Sequence, residues 1–66
     1  MKLLVDKEVD ALYLRLDDSK IVESQEASPG VVLDFNEANQ VVGVEIRDLS
    51  RRVPPLNLRQ LEFQAG

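Results

Sequence analysis

The chain has 66 residues, enough for one domain and no more, and a domain of that size buries only about 60% of its unfolded surface. Twelve acidic against eight basic side chains leave a net charge of −4, which argues against phosphate backbones or anionic lipid as the main partner. With no cysteine and no histidine, neither a disulfide nor a structural zinc can staple so small a core, so local packing or oligomerisation must supply stability.

No apolar run approaches the ~20 residues of a membrane span, and the start lacks the apolar stretch of a signal peptide. A cytoplasmic location is therefore the expectation, with no membrane and no nucleic acid as partner. In chain order, residues 2–6 read as a short strand with Leu3 and Val5 on one face. Residues 6–10 are polar punctuation around a single apolar residue, a helical turn or loop expected to tuck Val9 inward. Residues 11–16 alternate, with Leu12, Leu14 and Leu16 against Ala11, Tyr13 and Arg15. Face parity then pairs Val5 with Leu12 and Leu3 with Leu14 in a first hairpin with a loop of about four residues. Asp17, Asp18, Ser19 and Lys20 form a turn whose side chains can hydrogen-bond their own backbone. Residues 21–27 read as a third strand, polar from Glu23 to Glu26, a composition suited to a sheet edge. Ser28, Pro29 and Gly30 break the run.

Residues 31–46 carry the clearest hairpin signal. Val31, Leu33 and Phe35 share one face, and on the return strand Val42, Val44 and Ile46 share another. Parity predicts the pairs Phe35 with Val42, Leu33 with Val44 and Val31 with Ile46. That leaves residues 37–40 as a loop of about four, in which Asn39 meets the need for positive φ. After Ile46, residues 47–52 suggest one helical turn or an irregular exit. Pro54 and Pro55 then break the chain, and Pro55 can open a C-terminal helix with Leu58 and Leu61 inward. The rival reading there is a strand with Leu56 and Leu58, or Leu61 and Phe63, on one side. The predicted fold is α+β and mostly β: an antiparallel sheet of about five short strands, two hairpins plus an edge strand, with a short C-terminal helix. It forms one domain over residues 1–66, with a body over 1–53 and a tail over 54–66. Leu12, Leu14, Leu33, Phe35, Val42, Val44 and Ile46 are the predicted core.

The run of residues 6–16, Glu23-Ser24, residues 28–35 and residues 42–46 together resemble the YuzE-like family of small prokaryotic proteins. The resemblance covers about residues 2–52. It implies a compact, mostly β domain and no activity, because that family is a domain of unknown function with no catalytic residues to carry over. The chain departs from the family's usual Asp-x-Asp-Gly hairpin loop by having Asn36, Ala38 and Asn39 there.

Two acidic patterns invite a metal reading. Asp34, Asn36 and the distal Glu45 have calcium-loop spacing. Yet Ala38 has no ligating side chain, Asn39 stands where a glycine belongs, and the flanks read as strands. Asp6, Glu8 and Asp10 fail in the same way, because an apolar strand follows at once. Both sets read as solvated turn residues, and no metal or cofactor is expected.

Catalysis lacks its commonest base and its softest nucleophile. What remains is carboxylates: Asp34 and Glu45 are predicted diagonal neighbours about 7–8 Å apart on the outward face, with Gly43 baring the backbone beside them. Such a pair works as acid and base only if burial splits the two pKa values. Neutralisation by Arg15 or Arg47 on an exposed face is the preferred reading, so no catalytic residue is assigned and no enzyme is expected. Tyr13 shares the face of Arg15 and either makes contacts or covers Gly43. Tyr13, Arg15, Asp34 and Glu45 are thus the candidate contact surface.

Val32 and Val41 are expected beside Tyr13 as an apolar strip, covered by the segment carrying Leu58, Leu61 and Phe63 from the same or a second chain. These features favour a small non-enzymatic interaction or accessory protein acting as a homodimer, with a further protein partner open. An antitoxin-like acidic partner of a small basic toxin is the alternative. A carboxylate enzyme is the more distant one.

Overall fold

A computed structural model describes residues 1–52, 64 and 65. They form five strands, β1 (Lys2–Asp6), β2 (Ala11–Arg15), β3 (Glu23–Ser28), β4 (Val31–Phe35) and β5 (Val41–Ile46), followed by a four-residue helix α1 (Leu49–Arg52). The strands make one antiparallel sheet in the order β1-β2-β5-β4-β3. The predicted fold class is therefore the observed one, with the polar strand β3 at an edge. Among the described residues, no helix is long and apolar enough to cross a membrane. The helical turn read over residues 47–52 is realised as α1. The helix with Leu58 and Leu61 inward, its strand alternative with Phe63, and the tail that carries them lie outside the described residues.

Parity sets the register as expected in the first hairpin, where Leu3 faces Leu14 and Val5 faces Leu12. In the second, Val31 faces Ile46 and Leu33 faces Val44, but Phe35 faces Val41 instead of Val42. The cause is the turn. Asn39 N–H donates to the Asn36 carbonyl at 3.0 Å and Asn36 N–H to the Gln40 carbonyl at 3.1 Å, while Gln40 N–H donates to Asn36 Oδ1 at 3.0 Å. With Asn39 at φ 60° as predicted, this is a type I turn closed by a left-handed residue, one residue shorter than the loop read from the sequence. The surplus residue is taken up as a bulge at Val42. On the β2 side the ladder stays regular, Leu16 N–H donating to the Val42 carbonyl at 2.8 Å. The shift sets Val41 opposite Phe35, so Val41 shares the apolar face and the strip expected beside Tyr13 does not form.

One face of the sheet is apolar, but it is not a closed core. Of the seven predicted core residues only Val42 is buried, at 2% exposure; Leu12, Leu14, Leu33, Phe35, Val44 and Ile46 are half-buried. A sheet buries a face only against a second layer, and the described residues supply one helical turn at one end. Leu49 of that helical turn is buried, and Ala11, on the opposite face with Tyr13, is buried as well. Val9, expected inward, is 65% exposed, because the inward role in that turn falls to Asp10. Asp10, at φ 55°, accepts Leu49 N–H on its carbonyl at 3.0 Å. Its carboxylate accepts Ser50 N–H at 3.0 Å and the Ser50 hydroxyl at 2.7 Å, capping α1 from the far end of the chain. The β3–β4 turn is held from the same segment. Arg47 N–H donates to the Gly30 carbonyl at 2.8 Å, and Arg52 donates to the Pro29 and Arg47 carbonyls at 2.5 and 2.7 Å. Gly30 has φ 77°, and the Arg52 guanidinium occupies the space of a side chain there.

Candidate functional site: the polar face of the sheet

The candidate residues meet on the face opposite Leu33 and Phe35. Across the sheet, Arg15 faces Gly43, Gly43 faces Asp34, and Asp34 faces Ser24. In the next row Tyr13 faces Glu45 and Glu45 faces Val32. Gly43 leaves a gap in the first row, and Tyr13 reaches diagonally across it. The Tyr13 hydroxyl donates to Asp34 Oδ2 at 2.8 Å and the Ser24 hydroxyl to Asp34 Oδ1 at 2.6 Å. Both carboxylate oxygens are thereby engaged, and the cluster ties β2, β4 and β3 together over β5. Tyr13 is thus the cover for Gly43: a methyl group on Gly43 would stand 2.5 Å from the Tyr13 hydroxyl.

Arg15 turns away from the carboxylates. It donates through Nε to the Asp17 carbonyl at 2.6 Å and through Nη2 to the Ser19 carbonyl, and touches the Tyr13 hydroxyl only at 3.4 Å. Asp17 in turn accepts from the Ser19 hydroxyl and from Ser19 N–H at 3.0 Å. These bonds hold the fully exposed Asp17 carboxyl below its ordinary pKa, the Ser19 hydroxyl contributing most. Glu45 pairs with Arg47 at 3.3 Å. Asp34 and Glu45 therefore sit in adjacent rows as predicted, each with its own partners.

Three residues of the two calcium-like patterns are engaged in turns or caps. Asp6 accepts Glu8 N–H at 3.0 Å, Asp10 caps α1, and Asn36 closes the β4–β5 turn. Among the described residues no group of three or more acidic side chains is arranged to hold a metal ion. An open groove of about 830 Å³ runs along the first hairpin, lined by Leu4, Asp6, Val9, Ala11, Tyr13 and Glu45 among others. The roles of Ser24 and Asp10 were not read from the sequence. Ser24 could have been found as a hydroxyl residue of the edge strand in the row of Asp34; Asp10 acts across a sequence distance that no local pattern reports.

The site thus defines a class: a small mostly-β domain whose polar face is an internally satisfied hydroxyl–carboxylate cluster. The chain matches the family described as "Protein of unknown function (DUF2283)" over residues 2–50, and it belongs to that family. No curated protein and no solved structure matches it.

Proposed function

We propose that this domain is a non-enzymatic interaction or accessory module acting as a homo-oligomer, and that its family is the YuzE-like group of small prokaryotic proteins that the sequence resembles. The observation that carries this reading is the partly open apolar face. No described side chain is fully buried, and Leu3, Val5 and Leu16 are 37–38% exposed beside the half-buried leucines of β2 and β4. Apolar area left in water marks a contact surface. The internal pairing of Asp34 with two hydroxyls and of Glu45 with Arg47 favours this reading over carboxylate chemistry. Light scattering across a dilution series tests it. A dimer mass that falls to the monomer on dilution is expected, and a monomer at every concentration overturns it. The antitoxin-like reading draws on the net charge of −4 and on the wholly exposed β3 with Glu23 and Glu26. A stable one-to-one complex with a small basic protein in native purification would favour it.

A further inference from the structure

The two edges of the sheet differ. β3 carries Glu23, Ser24, Gln25 and Glu26 and breaks its register between Glu26 and Ser28, both of which discourage a neighbouring strand. β1 has no bulge and carries charge only at its two ends, Lys2 and Asp6. Its sequence is Lys-Leu-Leu-Val-Asp, every residue is exposed, and Leu4 is 54% exposed. Among the described residues only β2 pairs with it. We propose that β1 is the seam of a two-fold dimer, pairing antiparallel with β1 of a second copy with Leu4 on the axis. The proposal rests on the homo-oligomer reading and names its surface.

Three observations select this register. The first is charge. With Leu4 opposite itself, Lys2 faces Asp6 of the second copy and Leu3 faces its Val5, so every pair matches in polarity and the two end pairs in opposite charge. Centring on Leu3 would set Lys2 against Leu4, and centring on Val5 would set Asp6 against Leu4. Neither leaves the charges paired.

The second is backbone direction. Leu16 N–H donates to β5, so by alternation the even-numbered residues of β2 face β5 and Ala11, Tyr13 and Arg15 face β1. Their partners Asp6, Leu4 and Lys2 face back to β2. The amides and carbonyls of Leu3 and Val5 therefore point outward. In the proposed register these are the residues that exchange hydrogen bonds across the axis, while Leu4 forms the close, non-hydrogen-bonded pair.

The third is the face. Directly opposed residues share a side of the sheet, so Leu3 and Val5 of both copies extend one apolar face across the seam. Leu4, which lines the groove beside Tyr13, meets its counterpart on the other side.

The test uses the full chain. Leu4→Cys places two thiols at a non-hydrogen-bonded pair about 4.5 Å apart between Cα atoms, inside the range a disulfide spans. It should oxidise readily to a covalent dimer, whereas Gln25→Cys on the other edge should not. Lys2→Glu sets like charges at both ends of the seam and should weaken the dimer about tenfold, an effect that added salt reduces. The Leu3 and Val5 amides, open to water in a monomer, should exchange slowly in the dimer. A wild-type chain that is monomeric at all concentrations overturns the homo-oligomer reading and the seam together. A wild-type dimer with no Leu4→Cys disulfide and fast exchange at Leu3 and Val5 overturns the seam alone.

Discussion

Gly43 controls the polar face. A methyl group there would meet the Tyr13 hydroxyl at 2.5 Å and Asp34 Oδ2 at 2.9 Å, two atoms joined by a hydrogen bond, so relieving the contact breaks that bond. Gly43→Ala should cost about 1–2 kcal/mol, the worth of a hydrogen bond to a charged group in a partly exposed setting. In a Tyr13→Phe background the hydroxyl is gone and the same substitution should cost less. Denaturant unfolding of the four proteins reads the difference, and equal costs would show that Tyr13 does not impose the glycine. Asp17 supplies the pH-dependent residue. Its folded pKa is depressed below 3.8, chiefly by the Ser19 hydroxyl. Its contribution is therefore present above the unfolded pKa and lost as pH falls through the folded one. By NMR titration Asp17 should show a midpoint below 3.8 that rises in Ser19→Ala; unchanged midpoints would exclude the hydroxyl as the cause.

Among the elements, the β4–β5 hairpin separates what sequence could and could not disclose. Its apolar faces, the pairs Val31 with Ile46 and Leu33 with Val44, and the positive φ of Asn39 all follow from period-two alternation and turn chemistry. Asn39→Gly should accordingly be neutral or mildly stabilising, while Asn39→Val should lose about 1–3 kcal/mol to backbone strain. Equal melting temperatures for the two variants would rule out the turn. The bulge was not readable, because it depends on an Asn36 side chain replacing a backbone partner one residue early. The same division holds on the polar face. Alternation puts Tyr13 and Gly43 on one face, but that Tyr13 covers Gly43 comes from the sheet order, which sets β2 beside β5. Arg15, expected near carboxylates, is drawn to the Asp17 and Ser19 carbonyls instead. The predicted core residues share one face, but parity says only which side a residue takes. How deeply it is buried depends on what lies above the sheet.

At the scale of the whole molecule, α1 and the two arginines around it bind the β1–β2 and β3–β4 turns at one end of the sheet. Leu49 is buried there and Val42 at the other end, while the rest of the apolar face is only half covered. Exposed apolar area lies along the face and the β1 edge, where the contacts proposed above would fall. The strand order carries a consequence for synthesis. β5 is the last of the described strands in chain order and the middle one in the sheet, pairing with β2 on one side and β4 on the other. A chain emerging from its N-terminus therefore holds two separate hairpins, β1–β2 and β3–β4, each with a strand edge awaiting the same missing neighbour. Neither half can close on the other until residue 46 is available, and the pairing that joins them spans more than half of the described chain. Formation of the sheet is a late, non-local event, slow relative to hairpin closure, and until it occurs the inner edges of β2 and β4 remain open to pairing with the wrong strand.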